Sequence, residues 1–389
     1  MLQRVRPFMP IMGITRLANL TGLDVIGLPV VMACRPNSRS VAVSMGKGLD
    51  LAAAKASALM EAVETYHAEH VMAPLKLGSF EELRYDHHLA DPLRLPLCRR
   101  SDYHPARRLL WIEGQDLVSG RSLWVPYELV HTDYTLPPPS GSGCFLASSN
   151  GLASGSHPLE AIGHAICELV ERDAVTLFNH VPDDQQAAKR LDLDSVAEPD
   201  CREVIAGCRA AGMALAVFDA TSDMGIPTLV CLLGEKAQQA PPLLHGVAIG
   251  SGCHPDPAIA LLRAITEAAQ IRLAYISGAR DDLPDAAYAP SDPTGHAAED
   301  ARLGPAPTGA RPFESIPRFQ GETFAEDVIW MIDRLLTHGL DQVIAIDLAK
   351  PAPFAIPVVR LVIPGLEGVD DHPLYRPGER AQAQMRTVS

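Results

Sequence analysis

Residues 57–66 read Ser-Ala-Leu-Met-Glu-Ala-Val-Glu-Thr-Tyr, at the centre of a stretch from about 49 to 72 whose apolar periodicity predicts a helix. Around it the small and acidic residues follow Ala-x3-Ala-x2-Glu-x2-Glu, as Ala54, Ala58, Glu61 and Glu64. The pattern returns as Ala161, Ala165, Glu168 and Glu171, and a third time, with glutamine in last place, as Ala260, Ala264, Glu267 and Gln270. Successive first glutamates are 107 and 99 residues apart. Each helix follows glycines read as a turn: Gly46-Lys47-Gly48, Gly151 to Gly155, and Gly250-Ser251-Gly252. Three copies in register imply an internal repeat of strand, glycine turn and Glu-bearing helix.

Residues three apart on a helix are neighbours, so each Glu-x-x-Glu sets two carboxylates on one face beside small alanines. At about 4 Å and an effective dielectric near 20, such a pair repels by roughly 4 kcal/mol. A divalent cation offsets that, and hard carboxylate oxygens with room left for phosphate oxygens suit Mg2+ better than zinc. A solvated helix face accounts for one such pair. It accounts poorly for several whose acids stand among Leu59, Met60 and Val63, or Ile166, Leu169 and Val170. The cations nearest these blocks are Arg16, Lys47, Arg172, Arg272 and Arg280, and guanidinium forks match phosphate geometry. For each arginine alone an internal ion pair is an equal explanation. Ser57, one turn before Glu61, serves either a phosphate or its own helix backbone. Ser-Met-Gly-Lys-Gly at 44–48 lacks Walker A spacing, and no Rossmann fingerprint is present.

The rest of the chain narrows the class. Its 389 residues are 47% hydrophobic and 21% charged, the balance of a globular protein. A net charge of −14 argues against a sequence-independent grip on nucleic acid. No run of about 18 apolar residues and no signal-peptide core occurs, so no membrane partner and a cytoplasmic location are expected. The eight cysteines never fall as C-x-x-C and are expected to be reduced, with Cys253 beside His254 the one pair to weigh for a metal or a nucleophile. Glu64-x-x-His67 has the spacing of a di-iron half-site, but the second half is missing, since Ala174 follows Glu171 by three.

Strands are expected near 25–33, 38–44, 109–114, 121–126, 215–221, 227–234, 243–249, 342–348 and 356–363. Helices are expected near 49–72, 158–180, 199–212, 257–279 and 324–338, the last opened by Thr323 with Glu326 and closed by Gly339. Their interleaving gives a mixed α+β fold in one large domain, 12–366, with an N-terminal arm at 1–11 and a tail at 367–389. Residues 283–317, rich in Pro, Ala, Gly and Asp, read as a surface excursion or lid.

Several strings together resemble the YcaO family. They are Ser-Met-Gly-Lys-Gly at 44–48, the opening decapeptide, Ser-Asn-Gly-Leu-Ala-Ser-Gly at 149–155, Glu-Ala-Ile at 160–162, Glu-Leu-Val-Glu-Arg-Asp-Ala at 168–174 and Arg-Ala-Ile-Thr-Glu-Ala-Ala-Gln at 263–270. Gly-Ile-Thr-Arg at 13–16 and Thr-Gly-Leu-Asp at 21–24 are similar to members that accompany a TfuA protein. The resemblance implies ATP and Mg2+ as cofactors, with Glu61, Glu64, Glu168 and Glu171 as metal ligands. It implies Ser57, Glu160 and Arg172 at the nucleotide, Lys47 and Arg16 at its phosphates, and Glu267, Gln270, Arg272 and Arg280 in the same cofactor-binding block. No side chain stands out as the general base.

The family chemistry implied is ATP-dependent activation of a backbone amide in a peptide or protein. Azoline-forming members often end in Pro-x-Pro-x-Pro, whereas these residues end Ala-Gln-Ala-Gln-Met-Arg-Thr-Val-Ser. Thioamide formation, with a TfuA-like partner protein and a sulfide donor, is therefore expected ahead of an azoline-forming cyclodehydratase acting on Cys, Ser or Thr. A non-catalytic nucleotide-binding accessory protein is the third reading. The assembly implied by the family is a homodimer.

Overall fold

The computed structural model describes residues 1–235, 247–280, 302–352 and 354–388. In chain order the strands are β1 (Arg16–Asn19), β2 (Val30–Cys34), β3 (Val43–Lys47), β4 (Leu75–Ser79), β5 (Arg108–Asp116), β6 (Ser122–Pro126), β7 (Leu152–Ser154), β8 (Leu191–Asp192), β9 (Met213–Asp219), β10 (Thr228–Glu235), β11 (Ala248–Cys253), β12 (Arg311–Pro312), β13 (Ile344–Asp347) and β14 (Val358–Val362). The α-helices are α1 (Leu2–Val5), α2 (Leu51–Glu69), α3 (Phe80–Leu83), α4 (Pro158–Asn179), α5 (Asp183–Ala188), α6 (Pro199–Ala210), α7 (Pro257–Ser277), α8 (Phe324–Thr337) and α9 (Glu379–Val388). The mixed α+β class is as the sequence predicts.

Contacts divide the chain into two compact units. The first comprises Met1–Asn37, Val41–Ala62 and Val181–Gln320, and the second Ser38–Ser40, Val63–His180 and Gly321–Ser389. These bounds do not coincide with an arm, a domain and a tail. Within the first unit Val5 is wholly buried, and within the second Ala381 is.

The first unit holds an antiparallel β1-β2-β3 meander and an antiparallel sheet in the order β11-β10-β9. β10 reads Thr-Leu-Val-Cys-Leu-Leu-Gly and is buried along that whole length, as a central strand covered on both faces requires. Leu229, Cys231 and Leu233 share one core with Val204, Ile205 and Cys208 of α6 and Ala260, Leu261, Ala264 and Ala268 of α7. α7 is defined at both ends: Asp256 caps it by accepting from Ala258 N–H, Pro257 occupies its first position, and Gly278 closes it at φ 57°. Of the proposed excursion, 283–301 lies outside the described residues. The later part is integrated, because β12 pairs with β8 and Phe313 and Ile316 are buried in the same core.

Gly46, Gly250 and Gly252, placed in turns by sequence, lie within strands, and the reason is steric. A Cβ on Gly46 of β3 would stand 1.9 Å from the Ala58 nitrogen and 2.4 Å from the Ala54 carbonyl oxygen of α2. In β11, one on Gly250 would stand 2.2 Å from the Ala268 nitrogen, and one on Gly252 2.2 Å from the Ala260 oxygen of α7. Only glycine facing alanine lets strand and helix backbones come this close. The strand expected at 38–44 is correspondingly shifted to 43–47.

The second unit is built on an antiparallel sheet in the order β4-β5-β13-β14-β7, with β6 also paired to β5. α4 packs on β14 and β7, and α8 packs on α4 through contacts that include Cys167 with Met331. α8 opens as its sequence predicts, Thr323 Oγ1 accepting from Glu326 N–H, and Gly339 follows it at φ 75°. β4 carries the exposed Leu75 and Leu77 at a sheet edge, where side-chain burial leaves no apolar pattern to read. Among the described residues no helix is long and apolar enough to cross a membrane.

Gly46→Ala is expected to lower stability by about 3 kcal/mol or more, the upper range for overpacking against backbone, seen as a fall in the urea midpoint. Gly207→Ala, inside α6 with open space where its Cβ would stand, is expected to raise stability by about 0.5–1 kcal/mol. Unchanged stability in Gly46→Ala would refute the close strand-to-helix approach.

Candidate functional site

Close packing puts the acids of each helix within reach of the strand before it. In the first unit β3 is an edge strand, and both backbone groups of Met45 are taken by side chains. Its N–H donates to Glu61 at 3.2 Å, and its carbonyl accepts from Gln270 Nε2 at 2.8 Å. Glu61 of α2 and Gln270 of α7 thus stand where a further strand would pair. Lys47, at the end of the same strand, forms an ion pair with Glu267, which also accepts from Ser251 Oγ at 3.5 Å. Lys47, Glu61, Glu267 and Gln270 are therefore gathered around two residues of β3.

Glu64, one turn beyond Glu61, belongs to the second unit and accepts from Ser154 twice, from N–H at 2.9 Å and Oγ at 2.6 Å. Glu168 accepts from Gly151 N–H at 3.1 Å. Gly151 requires its identity: its φ is 78°, and a Cβ would stand 2.7 Å from the Leu361 carbonyl oxygen. Glu171 is buried, with Arg172 Nη1 at 3.5 Å, and Arg172 Nη2 lies 4.0 Å from Glu168. Burial pushes the Glu168 pKa up, the neighbouring Glu171 charge adds to this, and Arg172 and Arg360 oppose it. Glu160, in the first turn of α4, accepts from Ser156 N–H at 2.7 Å. Burial alone would raise its pKa, but the Ser156 hydrogen bonds and the nearby His164 outweigh it, leaving the net shift downward.

The other sequence-derived positions are more scattered. Ser57 is half-buried on α2, Arg16 is exposed at the start of β1, and Arg280 lies two residues past Gly278. Arg272 is almost fully buried and is taken up by Asp24 at 2.8 Å and by Glu235, the internal ion-pair alternative weighed for each arginine. Cys253 is buried in β11, and His254 Nδ1 accepts from the Asp256 N–H at 3.0 Å as a local turn contact. Sequence reasoning missed Ser154, which holds Glu64, and Arg360. A charged residue centred in the apolar run Val-Val-Arg-Leu-Val was the available signal.

The donor set fits magnesium by its chemistry. All four glutamates offer hard oxygens, and the upward push on Glu168 marks a carboxylate that a cation would relieve. Among the described residues no group of three or more His, Cys, Asp or Glu side chains closes into a metal cage. Magnesium commonly uses one or two carboxylates with phosphate oxygens and waters rather than an all-protein cage.

α4, which carries Glu168 and Glu171, is anchored by a third acid. Asp173 is fully buried and accepts from Arg380 Nε at 2.9 Å and Nη2 at 3.0 Å and from the Glu367 N–H at 3.0 Å. Burial pushes Asp173 up to about 6, and Arg380 pulls it back.

Acid-bearing helices packed through alanines against glycine-containing strands make this a mixed α+β protein, and the comparisons give the family. The sequence model described as YcaO cyclodehydratase, ATP- and Mg2+-binding, matches residues 45–367. A Rhizobium leguminosarum bv. trifolii protein, described as an uncharacterized protein in the tfuA 3' region, is 38% identical over 388 residues, covering 99% of this chain and 90% of its own. An uncharacterized protein of Methanothermobacter thermautotrophicus is 32% identical over 383 residues, covering 96% and 94%. The structure of YcaO from Methanopyrus kandleri bound with AMPPCP and Mg2+ aligns at TM-score 0.74 and 20% identity, over 97% of this chain and 92% of that one. A heterocyclase in complex with substrate and cofactor aligns at TM-score 0.75 and 24% identity over 94% of this chain, which spans only about half, 52%, of that protein. The chain belongs to the YcaO family.

Arg380→Ala leaves the Asp173 carboxylate buried without its counter-charge and is expected to lower stability by about 3–5 kcal/mol. With Asp173 raised in the folded state, the variant's stability falls as pH rises through that pKa and the deficit is smallest in acid, where the carboxyl is protonated. Urea denaturation at acid and neutral pH checks both, and a deficit independent of pH would count against the ion-pair account.

Proposed function

We propose that the chain uses ATP and Mg2+ to activate a backbone amide of a peptide or protein by O-phosphorylation, leading to a thioamide with a TfuA-like partner protein. What supports this above all is the pair of helices α2 and α4, whose Glu61, Glu64 and Glu168 accept from the backbone N–H groups of Met45, Ser154 and Gly151, in a chain of the YcaO family. The partner is supported by the tfuA-region relative, which shares nearly the whole chain.

In this reading Glu61, Glu64, Glu168 and Glu171 hold magnesium, and Lys47, Arg16 and Arg172 face phosphate oxygens. Ser57 and Glu160 contact the nucleotide. Glu267 and Gln270 orient Lys47 and the Met45 edge. Bound ATP supplies the phosphoryl group that lets the amide oxygen depart as phosphate rather than as hydroxide. The protein's contribution is to place the oxygens and to offset charge as it develops, the larger part of phosphoryl-transfer catalysis. An external sulfide then gives a thioamide. A neighbouring Cys, Ser or Thr side chain instead gives an azoline, the alternative favoured by the family's description as a cyclodehydratase.

Glu61→Gln and Glu168→Gln are each expected to abolish Mg2+-dependent ATP turnover with the circular dichroism spectrum unchanged. Full turnover in both would end the metal assignment. Incubation of the full chain with partner, peptide, ATP and sulfide separates the two products by mass: a thioamide shows sulfur in place of oxygen, whereas an azoline shows the loss of water.

A further inference from the structure

Val358, Val359, Leu361 and Val362 surround one charged residue in β14, and all five positions are buried. The antiparallel ladder places Arg360 opposite Leu152 and Val358 opposite Ser154. Opposed residues project to one face, and positions two apart share it. Arg360 therefore lies on the face of β7 and β14 that carries Ser154, whose N–H and hydroxyl hold Glu64.

The guanidinium is 2% exposed. Its Nη2 donates to the Ser148 carbonyl at 2.8 Å, while Nε and Nη1 are enclosed and meet no hydrogen-bond partner among the described residues. Among the described residues no carboxylate comes within ion-pair distance; Glu168 and Tyr134 act on it from farther off. Burial pushes the group down to about 10, so it is still a cation at neutral pH.

Buried donors are almost always satisfied, and a guanidinium more than most. Here the open donors stand on different edges of one cation, and an acceptor with several oxygens meets them better than a single carbonyl does. We propose that Arg360 forms an oxyanion subsite of the phosphate class next to Glu64 and Glu168, the place that receives the phosphate released from the amide. This rests on the function proposed above, and it adds one residue to the site.

The test is titration of inorganic phosphate into the full-length protein, followed by phosphorus NMR line width, for the parent, Arg360→Gln and Arg360→Lys. Arg360→Gln is expected to weaken phosphate binding by about tenfold or more, with Arg360→Lys intermediate because the charge stays and the donor geometry does not. Equal phosphate binding in Arg360→Gln and the parent, or none in the parent, overturns the subsite. Should Arg360→Gln not fold, Arg360→Lys is judged by the same criterion, and a parent whose thermal unfolding is unmoved by phosphate also overturns it. A parent that binds phosphate through Arg360 but never turns over ATP sinks the proposed function and leaves the subsite standing. ATP turnover with no phosphate binding that depends on Arg360 does the reverse.

Discussion

The carboxylates are placed by residues that have almost no side chain. Gly46 in β3 lies against Ala54 and Ala58 of α2 with the two backbones nearly in contact, and Gly250 and Gly252 of β11 do the same against Ala260, Ala264 and Ala268 of α7. Glu61 follows Ala58 by three residues and can reach the Met45 N–H only because β3 has come that close. On α7, Glu267 follows Ala264 by the same interval and meets Ser251, the neighbour of Gly250. A larger residue at any of these positions would move the strand away and lengthen the reach a carboxylate must span. Ala-x3-Ala-x2-Glu is thus a packing rule joined to a placement rule.

This is why so much of the helix packing around the candidate site was legible in the sequence. The alanines and the glutamates are local, at helical spacing, and their combination survives translation into structure with little distortion: α4 runs Pro158–Asn179 against an expected 158–180. Gly46, Gly250 and Gly252 were misassigned for an equally physical reason. A glycine just before a helix has the composition of a turn whether it supplies a positive φ, as Gly151 does, or merely absence of bulk inside a strand, as Gly46 does. Only the partner backbone distinguishes the two. β1 and β4 were invisible because short edge strands owe their existence to ladder hydrogen bonds rather than to an apolar alternation. Arg360 was overlooked because one polar residue in a strongly apolar strand does not alter the secondary-structure pattern, although it is the residue that a burial argument should have isolated.

The acids of α4 show how charge is distributed once packing has set positions. Asp173 receives a two-nitrogen clasp from Arg380 and a backbone N–H from Glu367, so its charge is answered inside the unit. Glu168 and Glu171 both lie near the Arg172 guanidinium, at 4.0 and 3.5 Å. At about 4 Å and an effective dielectric near 20, each such attraction is worth roughly 4 kcal/mol, comparable with the repulsion between the two acids themselves.

Arg360 supplies the second positive charge but stays beyond contact range of Glu168 and keeps two donors open. Two carboxylates and two guanidiniums would cancel most simply by closing on one another, and of these two guanidiniums Arg172 lies at ion-pair distance while Arg360 does not. Such separation is unfavourable in a closed protein interior and natural where a cation and an anion are to enter together, the cation against the carboxylates and the anion against the open guanidinium. A magnesium phosphate carries both charges. Because it is nearly neutral as a unit, it can be admitted without the desolvation penalty that either ion would carry alone.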